Sequence, residues 1–231
     1  MTRLILLPIA LGLGLWGLQS LRHLLFALPN RKASRAAYFS AAAGLMKDLR
    51  QQTQATGFAR VAGRYRGLMF DLQALPDTLT FRKLPALWVM VTVTEPQPLT
   101  GETHVMARAT GQESFSTYAQ MGAEVNLPPG FPADCTLRCT AVEDLPPPAL
   151  LDRAAPLFSD PKVKEAVFSP KGLRLVVLAE EADRGSYLIY RDAELGRHPF
   201  PAARLQQMLE AVADLHYAQD NPNQANMKAS A

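Results

Sequence analysis

The sequence predicts an α+β protein: an N-terminal transmembrane helix, then one mostly antiparallel sheet domain with packed helices. Three observations predict it. Residues 4–21 contain no charge, short alternating segments face each other across two-residue polar turns, and an amphipathic helix arrives late in the chain. Strands joined as hairpins, with helices concentrated elsewhere, favour α+β over a doubly wound parallel sheet.

The first element is LILLPIALGLGLWGLQSL, Leu4 to Leu21. At 1.5 Å per residue it spans about 27 Å, close to a hydrocarbon core of about 30 Å. Pro8 falls in the first turns, where a missing N–H costs little. A cleaved signal peptide would need small residues just beyond the apolar run. That place holds Leu18-Gln19-Ser20-Leu21-Arg22, so an uncleaved anchor is expected. Leu24–Leu28 adds a short apolar tail for the interface. Basic residues Arg22, Arg31, Lys32 and Arg35 follow with no acid before Asp48. They place the domain on the cytoplasmic side and give it a lipid-facing basic flank, although Arg3 and the terminal amine oppose this.

Gly12 to Gly17 matches G-x-G-x-x-G, but that fingerprint needs a preceding strand and an aqueous crevice. Packing is the better use. Ala10 and Gly14 are four apart and Gly17 three further, a small-residue face for another helix.

Residues 29–57 read as a juxtamembrane linker and helix. Pro29 breaks the anchor, Ser34 caps a helix over about 35–53, and Gly57 ends it. The soluble domain then covers 58–218. Phe58–Tyr65 and Leu68–Leu75 form a hairpin about Arg66-Gly67, and Ala86–Thr94 is a deeply buried strand. Thr103–Thr110 is expected as its antiparallel neighbour, and Phe115–Ala123 as a short helix or irregular segment. Cys135–Val142 reads as a strand, about 149–158 as a helix after Pro146–Pro148, and Asp160-Pro161 as opening a helical turn through about Glu165. Val167–Ser169 and Leu173–Ala179 pair about Lys171-Gly172, and Tyr187–Arg191 reads as a strand after the solvated turn Glu180–Gly185. Ala202–Tyr217 is the amphipathic helix, and 219–231 reads as a polar tail.

The order of these elements, with Gly63-Arg64-Tyr65-Arg66-Gly67 opening the first hairpin, resembles bacterial single-pass membrane-anchored proteins, themselves uncharacterised, with a G-x-Y-x-G hairpin start. The resemblance implies a bacterial inner membrane and carries no chemistry.

Composition narrows the function classes. The 231 residues are 48% hydrophobic and 19% charged, against about 25% charged in ordinary soluble domains, and the anchor explains part of the deficit. A net charge of +3 without a basic stripe gives no footprint for nucleic acid. Cys135 and Cys139 form a lone C-x₃-C, which reads as inward-facing core thiols, not a metal hook. No histidine stands in a recognisable catalytic motif, and no metal or cofactor motif is present. The sequence therefore points to a non-catalytic, membrane-tethered interaction or assembly module, an accessory subunit whose partner is another membrane protein. Two alternatives stay open. One is a hydrolase-like enzyme using Asp71, Asp77 or His104; the other is a domain binding anionic lipid through Arg60, Arg64, Arg66, Arg82 and Lys83.

Overall fold

The computed structural model describes residues 30–78, 84–190 and 193–220, and Gly14 alone before them. Its frame is a nine-stranded antiparallel sheet in the order β1-β2-β3-β4-β9-β8-β5-β7-β6. The strands are β1 (Lys47–Thr53), β2 (Ala59–Tyr65), β3 (Leu68–Asp77), β4 (Ala86–Val93), β5 (Thr103–Ala107), β6 (Ala123–Val125), β7 (Cys135–Cys139), β8 (Val163–Ser169) and β9 (Gly172–Glu181). The helices are α1 (30–36 in its described part), α2 (Ala42–Leu45), α3 (Pro148–Ala154), α4 (Arg184–Tyr190) and α5 (Ala202–Asp220). The α+β class with one large antiparallel sheet thus holds. Among the described residues no helix is long and apolar enough to cross a membrane, and apart from Gly14 the stretch 4–21 lies outside them.

The hairpins form where turn chemistry and alternation agree. Arg66 (φ 50°) and Gly67 (φ 85°) are both left-handed, the two-residue turn that matches strand twist. Gly172 at φ 146° lets β9 start so close to β4 that a Cβ there would sit 2.0 Å from the Val93 carbonyl oxygen. In β4 the alternate residues Leu87, Val89, Val91 and Val93 are all 0% exposed, on the face that α5 covers with Leu205, Leu209, Val212 and Ala213. On the opposite face Met90, Met106 and Val176 form a smaller apolar cluster under Phe115 and Tyr118.

Several expectations are corrected. Residues 47–53 are an edge strand, not the second half of a helix over 35–53. Their helix-forming composition is worth only a few tenths of a kcal/mol per residue, and ladder pairing with β2 overrides it. Ser34 lies inside α1, where its hydroxyl donates to the Arg31 carbonyl. Tyr38, Phe39, Ala42 and Met46 are buried, so this segment adds to the domain core. Strand β4 lies between β3 and β9 and does not pair with β5, which runs between β8 and β7. Asp160-Pro161 leads within two residues into β8 rather than into a helical turn. The expected strand Tyr187–Arg191 is helical as far as it is described, within α4, and Arg191 lies outside the described residues: β9, the hairpin partner it would need, is already paired with β4 and β8, and the Tyr187 N–H bonds the Asp183 carbonyl at 2.9 Å.

The cysteines lie as expected. Cys135 (8% exposed), Leu137 (1%) and Cys139 (0%) point inward, with Thr136 and Arg138 half-buried between them. Burial pushes the Cys135 thiol up to about 11, with Asp134 adding to it, and pushes Cys139 up as well. At about pH 8 only about one Cys135 in a thousand is then thiolate. Native protein should react with a thiol reagent at least about a hundredfold more slowly than urea-unfolded protein. Equal rates would show that these side chains face solvent.

Candidate functional site

The most concentrated polar chemistry lies on the sheet face away from α5. Direct register places His104 of β5 opposite Val167 of β8 and Arg138 of β7, and Met106 opposite Glu165. Residues paired in this way share a face. His104 is 2% exposed and Glu165 0%. The ring is held at both nitrogens, with Nδ1 2.7 Å from Glu165 Oε1 and Nε2 2.5 Å from Glu102 Oε1. The other Glu165 oxygen, Oε2, is buried without a hydrogen-bond partner.

The segment linking β5 to β6 runs over this cluster. Ser116 donates to the same Glu165 oxygen that faces His104, and Thr117 Oγ1 donates to Glu102 at 3.2 Å. The Phe115 ring lies 4.8 Å from Trp88, and the Tyr118 hydroxyl donates to Thr136 at 2.5 Å. At the start of the segment Glu113 is buried 3.1 Å from Lys164 Nζ, which also donates to the carbonyls of Ala107 and Arg108. Burial works against the charge on His104, but the two carboxylates outweigh it and hold its pKa above the ordinary value.

A hydrolytic relay needs a nucleophile bonded to its base. Here both ring nitrogens face carboxylates, and the Ser116 hydroxyl is given to Glu165 rather than to His104. Asp71 is likewise engaged, 2.7 Å from Arg60 Nε and 2.5 Å from Gln73 Nε2, and Asp77 ends β3. The three residues of the hydrolase alternative are not brought together. Among the described residues no group of three or more His, Cys, Asp or Glu is placed to hold a metal ion.

A second feature is an open groove of about 540 Å³ between the chain after β4 (Pro98, Leu99, Thr100) and the start of α3 (Pro146–Pro148, Leu151). Asn126 and Pro128 border it. Prolines lack an N–H, so the wall is largely apolar. The short helical turn Val142–Asp144, which leads into Leu145 of the wall, holds Val142, 57% exposed, and the acidic pair Glu143 and Asp144. Near the groove's Pro128 border, Phe131 packs on Phe158 with ring centroids 5.4 Å apart.

The sequence-derived site residues are dispersed. Ala10, Gly17 and Arg22 lie outside the described residues; Gly14 is helical, and a Cβ there would meet nothing within 4 Å. Arg31 reaches Glu194 at 3.9 Å and Lys32 is exposed. Arg35 donates to the carbonyls of Thr56 and Leu195, and its guanidinium stands 5.0 Å over Phe58. Of the basic face, Arg60 pairs with Asp71, Arg64 with Asp48 and Arg66 with Asp214, while Arg82 and Lys83 are outside the described residues. In the turn Glu180–Gly185, Glu181, Asp183, Arg184 and Gly185 are exposed as expected, but Glu180 is half-buried and accepts from the Tyr38 hydroxyl at 3.0 Å and the Gly196 N–H at 2.9 Å. Compared with protein-family models and with curated proteins, the chain matches none of either.

Proposed function

We propose that the chain is a membrane-tethered interaction module, an accessory subunit of a membrane protein complex on the cytoplasmic face of a bacterial inner membrane. The observation that carries this reading is the uncharged run 4–21, set just ahead of a folded sheet domain and followed by Arg22, Arg31 and Lys32. Ala10, Gly14 and Gly17 supply a face for a neighbouring membrane helix. The proline-lined groove is the docking surface of the domain. Its apolar wall and the acidic pair beside it fit an extended apolar segment of the partner that ends in a basic residue.

The test is purification of the full chain from its native membrane in mild detergent, in wild type and Thr100→Arg. Thr100 is an exposed residue of the groove wall, so the substitution adds a repelling charge without touching the core. The expected result is a defined partner with the wild type, recovered about tenfold less with the variant, the equivalent of about 1.4 kcal/mol. A monodisperse wild-type monomer without a partner, or equal recovery from both, would overturn the reading. A reporter fused at Ala231 checks the orientation, and activity on the outer side would reverse it.

A further inference from the structure

The groove belongs to the reading above, whereas the buried His104 cluster on the opposite face is independent of it. We propose that residues 110–120 form a proton-latched strap, closed over Met90, Met106 and Val176 while His104 is doubly protonated and released when His104 loses a proton.

Three observations meet here. A neutral imidazole carries one N–H, yet both nitrogens of His104 lie within hydrogen-bond distance of carboxylate oxygens. Only the imidazolium donates to both. Loss of one proton turns a ring lone pair against a carboxylate lone pair and leaves the fully buried Glu165 without the cation it faces. Second, the two carboxylates that hold the ring also hold the strap, through Ser116 on Glu165 and Thr117 on Glu102. The strap closes onto the protonation-dependent cluster itself, and lifting it is the direct way to admit water to Glu165. Third, the apolar hold is small. Phe115 and Tyr118 are the strap's buried apolar side chains, and the residues around them are polar or exposed.

The neighbouring charges leave this arrangement to His104. From β7, Arg138 is paired with Glu124 at 2.9 Å and lies 5.3 Å over the Tyr118 ring. Beside Glu165 on β8, Lys164 is held by Glu113 and two carbonyls. From β9, Arg174 donates to Thr92 on β4. The direction is set by the raised affinity of His104 for its second proton. Closure is complete below the unfolded-state value near 6.5 and is lost as pH rises through the higher folded-state value. Opening exposes Met90, Met106 and Val176, an apolar surface on the far side of the sheet from α5.

Amide hydrogen exchange of the full chain in detergent tests this, read by peptide, corrected for intrinsic rates and run from about pH 6 to about pH 9.5. In the wild type, protection of 110–120 should fall at least about tenfold across that range while β4 keeps its protection. His104→Gln should show low strap protection at every pH, with no step. Glu102→Gln alters a carboxylate that is 39% exposed, so the fold is kept; it removes one carboxylate from the ring and should move the step to lower pH. Protection of the strap that follows β4 throughout would overturn the proposal. So would a step that survives in His104→Gln, or, should that variant not fold, a step left unmoved by Glu102→Gln. None of these readouts involves the groove or a partner, so they stand or fall apart from the proposed function.

Discussion

Phe58→Ala should lower the stability of the full chain by about 3–5 kcal/mol, the usual cost of truncating a fully buried aromatic side chain. Phe58 is 0% exposed and joins two parts of the chain that are far apart in sequence. Tyr38 meets its ring edge-on at 5.2 Å, and the Arg35 guanidinium lies 5.0 Å above it. From the other side Gly196 approaches so closely that an added Cβ would fall 2.5 Å from Phe58 Cε1. Gly196→Ala should therefore cost about 1–3 kcal/mol by overpacking, with about 1 kcal/mol more from its φ of +76°. The overpacking part disappears once the ring is gone, so the double variant should lose clearly less than the sum of the single losses. Urea midpoints of the four proteins measure this. A loss below about 1 kcal/mol for Phe58→Ala would mean that residues 30–57 are a tether and not part of the domain.

What was legible in the sequence was what local pattern encodes. The β2–β3 hairpin shows itself through Arg66-Gly67, the β8–β9 hairpin through Lys171-Gly172, and both sit between runs with strand alternation. Strand β4 and helix α5 show because each buries a long apolar set. Strand β1 hides because every one of its residues is exposed. An edge that buries nothing carries no period, and helix-forming composition then misleads. Pairing order hides as well: the apolar run of β4 asks for buried neighbours without saying that β9, about eighty residues on, is one of them. The candidate cluster was illegible for both reasons. His104 and Glu165 stand 61 residues apart, and a register shift between Val163 and Glu165 breaks the alternation that would have marked Glu165 as inward-facing. The available signal was the Lys164-Glu165 pair of charges inside the otherwise apolar run Val163 to Phe168.

Lys164→Ala should cost about 3–5 kcal/mol, because it breaks a buried ion pair by removing one partner. The Lys164 and Glu113 side chains are 8% and 6% exposed, and Nζ also serves the carbonyls of Ala107 and Arg108. Truncation leaves Glu113 held by the Thr110 N–H and hydroxyl alone, at 2.7 and 2.8 Å. The loss carries a pH signature. Burial pushes the Glu113 carboxyl up, but the Thr110 N–H, the Thr110 hydroxyl and Lys164 together outweigh it and hold the pKa below its ordinary 4.5. A depressed carboxylate stabilises fully above its unfolded-state value and loses that contribution as pH falls through the folded-state one. Wild-type stability should therefore decline below about pH 4.5, whereas Lys164→Ala, with less holding the charge, should decline less steeply there. Lys164→Met combined with Glu113→Gln removes both charges while keeping side-chain volume, and should recover more than half of the loss. Urea midpoints from about pH 3 to about pH 7 separate these effects. An acid limb unchanged in Lys164→Ala would show that Glu113 is stabilised from elsewhere, and that the strap is not anchored at this end by the pair.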